Sequence, residues 1–277
     1  MNKSHEKLPL IISGGSVASA KHPERNEDAF FVDEKSNSAG VFDGVSGCQG
    51  SELASEIAAT VILKKVASFP NRLSKADSHS LLKDALMKAH KEILKSAAGK
   101  VVATSATVAK ICKDQKSTIL FAVIANVGDS RAYLFRENNL THLTLDHSII
   151  FNDKNQTKNK QLQEKFSEIT SLDQLSKDEQ EAFQKKGYIY EVLGGKYDYH
   201  PRISLMDVEL QNNDKIIIAT DGIHDNLTNS EIAETIKDNL NITSLPGELI
   251  GAATKRSKNN EHIRAKADDM TAAVIQV

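Results

Sequence analysis

Val41-Phe42-Asp43-Gly44-Val45-Ser46-Gly47 and Ile216-Ile217-Ile218-Ala219-Thr220-Asp221-Gly222 are two apolar runs that each stop at an Asp-Gly step. Each predicts a buried strand whose end lifts a carboxylate to the rim of a sheet. The glycine that follows lets backbone or ligand approach closely. A third acidic pair, Asp268-Asp269, precedes Met270-Thr271 and opens the last apolar run. Three carboxylates so far apart in sequence meet only if the fold gathers them. Gathered at one rim, they repel each other unless a hard cation lies between them. Either Asp-Gly step taken singly reads more simply as a turn.

Outward from these runs, the pattern predicts strands and helices in blocks. Residues 8–19 read as a first strand and its turn. Residues 29–33 and 39–42 form a hairpin around the polar turn 34–38. Residues 51–68 and 78–96 carry apolar side chains at helical spacing. Residues 104–113 and 118–127, then 131–135 and 140–145, read as an antiparallel meander. Residues 146–186 are polar and only weakly periodic, which predicts a surface excursion rather than a core element. Strands resume at 203–210 and 215–220, helices at 228–239 and 246–256, and a final strand at 270–277. Residues 255–266 read as a charged, mobile loop. Helices grouped between runs of strands favour an α+β fold, with two antiparallel sheets packed together and helices outside. One domain over residues 1–277 is expected, with a polar flap at about 146–200.

Composition narrows the function classes. Net charge is −2, aromatic residues make up 5% and tryptophan is absent, so no nucleic-acid partner is expected. The two cysteines, Cys48 and Cys112, are too few for a disulfide scaffold. Cys48 reads as a small buried hydrophobe. No apolar run approaches a membrane span and the N-terminal one is too short for a signal peptide. A cytoplasmic monomer is therefore expected, although export without a cleaved signal would leave no mark here.

Further carboxylates stand beside predicted strands. Glu27 and Asp28 precede one, and Asp129 follows Asn126-Val127-Gly128. Oxygen donors without His or Cys at zinc spacing suit Mg²⁺ or Mn²⁺. Asn26-Glu27-Asp28, Asp43-Gly44-Val45-Ser46-Gly47, Gly128-Asp129-Ser130-Arg131-Ala132-Tyr133, Leu143-Thr144-Leu145-Asp146-His147-Ser148, Ala219-Thr220-Asp221-Gly222-Ile223-His224-Asp225 and Asp268-Asp269-Met270-Thr271 occur in that order. In this the chain resembles the metal-dependent Ser/Thr protein phosphatases of type 2C (the PPM family), bacterial members above all. The resemblance implies a four-layer α-β-β-α sandwich and phosphorylated protein substrates. It also implies a pair of Mn²⁺ or Mg²⁺ ions that activate a water for in-line attack on phosphorus. Asp43 would bridge the ions, the Gly44 carbonyl would ligate the second, and Asp221 and Asp268 would hold the first. Glu27 and Asp28 would act through metal-bound water. Asp129 with Asp221 would form a third, weaker site. Asp269 stands where the family usually has Asn and is assigned orienting hydrogen bonds.

Two departures stand out. Pro23 occupies the place of the family's phosphate-binding Arg, which leaves Arg25, Lys21 or His22 to take over; Arg25 is the catalytic candidate. Val45 stands where animal members carry a His. The missing Arg is the one feature favouring a weak or inactive binding module of the same fold. A metal-dependent nuclease or another phosphohydrolase is the other alternative. Arg131, His147 and His224 read as structural, and Asp225 as a cap of the Asp-Gly loop.

Overall fold

The structure is a computed structural model, and it describes residues 8–45 and 50–277. Cys48 and the Ser46-Gly47 step lie outside these residues. The strands are β1 (Ile11–Val17), β2 (Asp28–Asp33), β3 (Ser38–Asp43), β4 (Arg72–Leu73), β5 (Ala103–Thr104), β6 (Ala106–Asp114), β7 (Leu120–Val127), β8 (Arg131–Arg136), β9 (Asn139–His142), β10 (Leu193–Gly194), β11 (Ser204–Glu209), β12 (Lys215–Ala219) and β13 (Met270–Gln276). The helices are α1 (Ser51–Val66), α2 (Lys75–Ser96), α3 (Gln156–Glu168), α4 (Lys177–Gln184), α5 (Asp221–His224), α6 (Asn229–Asp238) and α7 (Leu245–Ser257).

Two antiparallel sheets form the middle. One runs β1-β13-β12-β8-β9; the other runs β11-β7-β6-β3-β2, with β4 beside β6. Side-chain alternation assigns their faces. Val41, Ile124, Leu134, Ile218 and Ile275 point between the sheets, into one buried cluster. Their neighbours Phe42, Val123 and Ala125 face α1 and α2. Tyr133, Phe135, Ile217 and Val274 face α6 and α7. The layers are therefore helices, sheet, sheet, helices, as the block pattern predicts. Ser74 caps α2 by accepting the Asp77 N–H, so this helix begins before residue 78, where apolar periodicity starts. Thr228 and Glu231 close a reciprocal capping box on α6.

Three expectations need correction. The predicted meander over 104–145 is divided: β6 and β7 pair in one sheet, β8 and β9 in the other. Gly128-Asp129-Ser130 carries the chain across. Gly128 has φ +97°, and a Cβ there would lie 2.6 Å from the Ser105 side chain, so the crossing requires glycine. The excursion 146–186 has its own apolar cluster, in which Phe151, Phe166, Ile169, Leu175 and Phe183 are buried. Scattered aromatic and aliphatic residues fill this cluster from helices too short to show a clear period. The 255–266 stretch is anchored, because Arg264 is buried and donates to the carbonyls of Phe166, Ile169, His224 and Leu227. None of the described helices is long and apolar enough to cross a membrane.

Candidate active site

Antiparallel register brings the acidic strand ends together. Asp28 opens β2 directly opposite Asp43, which closes β3. In the other sheet Ala219 pairs with Arg131 on one side and with Ala272 on the other. Asp129 before β8, Asp221 after β12 and Asp268 before β13 therefore share one rim. The two rims are stitched together. Thr220 Oγ1 donates to Asp28 Oδ2 at 2.8 Å, Ser105 and Ser130 hydroxyls lie 2.7 Å apart, and Thr107 Oγ1 donates to the Ser130 carbonyl. Asp43, Ser105, Asp129, Tyr188, Asp221, Lys266 and Asp268 line an open cleft of about 540 Å³.

Gly44 is required here on steric grounds. A Cβ would sit 2.8 Å from both the Glu27 carbonyl oxygen and the Ser51 backbone. The Gly44 N–H donates to that same Glu27 carbonyl, which locks the Asp-Gly step against Asn26-Glu27-Asp28. Ser51 at the start of α1 donates to Glu27 Oε1, and Ser55 donates to the Glu27 carbonyl. Asp269 accepts from Ser19 N at 2.7 Å and from Glu27 N at 2.6 Å. It orients backbone, as expected of it. His22, Glu27 and Asp269 have ligand atoms within 4.8 Å of one another. Both Asp269 oxygens already accept N–H groups and His22 Nδ1 bonds the Arg25 carbonyl at 2.9 Å, so this trio reads as a brace of the Asn26-Glu27-Asp28 backbone. The Arg25 guanidinium lies 3.2 Å from Glu27 Oε1 and its side chain is 51% exposed, at the edge of the carboxylate group.

Burial, followed by mutual repulsion, sets the electrostatics. Burial pushes the carboxyl pKa of Asp43 well above its usual value, and Asp221, Asp28, Asp129 and Asp268 push it further. Asp28 and Asp129 are raised well above for the same first reason. Asp221 is also raised, by burial and by Asp268 and Asp225, against the pull of Lys266. Asp28 Oδ1 is buried with no hydrogen-bond partner among the described residues. A buried acceptor left unmatched beside repelling carboxylates fits a hard divalent cation.

Sequence reasoning missed Lys266. Its ammonium contacts Asp221 Oδ2, Asp268 Oδ2 at 2.9 Å and Asp225 Oδ2 at 3.1 Å. Partial loss of solvent works against this charge, but the three carboxylates outweigh it and hold the Lys266 pKa well above the lysine value. Lys186, just after α4, pairs with Asp225 from the other side. Asp225 thus joins the network and is more than a loop cap; the lysines hold its pKa well below the usual value in spite of burial. The available signal was Lys266 itself, two residues before Asp268.

The structural readings of three other residues stand. Arg131 makes a buried two-pronged pair with Asp146. His147 accepts the Gly128 N–H on Nδ1, which leaves Nε2–H to donate to Ser204 Oγ at 2.8 Å. His224 Nε2 donates to the Asp129 carbonyl at 3.2 Å. The two histidines hold the backbone on either side of Asp129.

Comparison with known proteins gives the family and the fold. The serine/threonine phosphatase stp of Listeria welshimeri is 24% identical over 222 residues, covering 78% of each chain. The fold matches that of serine/threonine phosphatase Stp1 from Staphylococcus aureus, with a TM-score of 0.74 at 19% identity, over 99% of this chain and 97% of that one. It also matches the catalytic domain of the serine/threonine protein phosphatase PstP in complex with two manganese ions, with a TM-score of 0.70 at 18% identity, over 96% and 97%. The model of the family described as protein phosphatase 2C matches residues 18–248. With the acidic strand ends gathered at one rim, and that match spanning most of its length, the chain belongs to the protein phosphatase 2C family.

Proposed function

We propose that the chain hydrolyses phosphoserine and phosphothreonine on proteins, using two Mn²⁺ or Mg²⁺ ions. The observation that carries this reading is the convergence of Asp28, Asp43, Asp129, Asp221 and Asp268 from both sheets, with Asp28 Oδ1 left without a partner among the described residues. Asp43, opposite Asp28 at the end of β3, would help hold both ions. Asp221 and Asp268 are assigned to the first ion, the Gly44 carbonyl to the second, and Asp129 to a third, weaker site. When bound, the ions would supply Lewis acidity and lower the pKa of a water so that it loses a proton near neutral pH and can attack phosphorus.

The remaining work falls to the chain's own groups. Glu27 and Asp28 position water through their carboxylates; Ser51 and Thr220 fix those carboxylates in place. Arg25 supplies a basic group for the substrate phosphate, compensating for Pro23. Its half-exposed guanidinium at the rim is free to exchange part of its contact with Glu27 for a phosphate oxygen. A purely binding module would gain nothing from so much gathered negative charge.

Hydrolysis of an aryl phosphate and of a phosphothreonine peptide is expected with Mn²⁺ and lost with chelator. Asp43→Ala should lower turnover by at least about a hundredfold while leaving the circular dichroism spectrum unchanged. Wild-type turnover in that variant would overturn the site assignment. Arg25→Ala should raise KM several-fold with a smaller change in kcat, and Lys21→Ala should not.

A further inference from the structure

We infer that Lys266 is an internal cation that competes with the divalent metal for Asp221 and Asp268, so that metal loading displaces it and one lysine sets the metal affinity. This rests on the metal reading above. The Lys266 ammonium holds one oxygen of each of these carboxylates, Asp221 and Asp268. Among the described residues it is the one cation paired with either. Asp225 differs, because Lys186 also neutralises it. When Lys266 withdraws, Asp225 keeps a counter-charge while Asp221 and Asp268 become available together.

The fold lets the side chain move without the backbone. Lys266 N donates to Asn226 Oδ1 at 3.0 Å, and Asn226 Nδ2 donates to the Lys266 carbonyl at 2.8 Å. Both main-chain groups are thereby clamped to Asn226, whose Nδ2 also donates to the Gly222 carbonyl. The side chain lines the open cleft and is 38% exposed, so its four-carbon stem has solvent to swing into. In the metal-free protein the ammonium offsets repulsion among the carboxylates. A divalent ion offers the same oxygens twice the charge, and Lys266 lowers its affinity by the attraction that must first be broken.

The test is Mn²⁺ binding by titration calorimetry to the metal-stripped wild type, Lys266→Gln and Lys266→Arg. Lys266→Gln should bind at least about tenfold more tightly, and its metal-free thermal midpoint should fall. Lys266→Arg, which keeps the charge, should bind like wild type. Should stripped Lys266→Gln fail to stay folded, the variant is purified with Mn²⁺ and its metal release to a chromogenic chelator is timed; slower release than wild type is expected. Unchanged or weaker Mn²⁺ binding, or unchanged release, with wild type still binding, overturns this inference alone. A wild type that takes up no Mn²⁺ overturns the metal reading and this inference with it.

Discussion

Asp269 accepts two backbone N–H groups, one on each carboxylate oxygen. Asparagine has a single acceptor oxygen, so Asp269→Asn turns an NH₂ toward Ser19 N or Glu27 N. We expect a loss of about 1–3 kcal/mol in urea unfolding, the usual cost of one buried donor left unmatched. His147 gives a pH prediction. Burial lowers its pKa to about 4, against about 6.5 for an unfolded histidine. The unfolded chain therefore binds more protons between these values. The stability this residue contributes is present above about pH 6.5 and is lost as pH falls toward 4. His147→Gln keeps one acceptor for Gly128 N and one donor for Ser204 and does not titrate. Wild type should lose stability relative to His147→Gln between pH 7.5 and 5, measured by urea midpoints; a constant difference would refute the assignment. His142, lowered to about 3 mainly by burial, adds a parallel loss in both proteins.

Among the elements, the join between α3 and α5 depends on one side chain. Arg264 reaches carbonyls in the last turn of each helix and just beyond it, Phe166 and Ile169 on one side and His224 and Leu227 on the other. The last carbonyls of a helix have no intrahelical partner, and a buried cation suits their partial negative charge. Arg264→Met should cost about 3 kcal/mol by leaving buried carbonyls unmatched. Hydrogen exchange in residues 156–168 should accelerate more than in β12 or β13, because α3 packs on the small outer cluster rather than on the central core. Arg264→Lys should recover only part of the loss, since a point cation cannot serve two helix ends at once. Equal exchange rates in α3 of wild type and Arg264→Met would show that Arg264 does not hold this join.

At the scale of the whole molecule, the carboxylates sit where the two sheets meet, so metal binding and folding are linked. Mn²⁺ should raise the thermal midpoint in step with the logarithm of its concentration, by about 2.7 kcal/mol of stabilisation at a hundred times Kd. Asp43→Ala should flatten that rise; an undiminished rise would place the ion elsewhere. The longer strands, the two helix pairs and the acidic strand ends were determined locally, by apolar periodicity and by runs that stop at Asp-Gly, whereas the two-residue strands β4 and β10 left no such mark. Local pattern could not show that the chain changes sheet at Gly128-Asp129-Ser130, because β7 and β8 look alike whether or not they pair. Nor could it show the outer cluster of 146–186, the burial of Arg264 or the seat of Lys266. Those depend on which charges and surfaces meet across long sequence separations. A lysine in a polar stretch reads as solvated until the tertiary structure places three carboxylates around its ammonium. The sequence by itself determined which residues carry negative charge to a strand end; only the tertiary structure decided which positive charge they meet there.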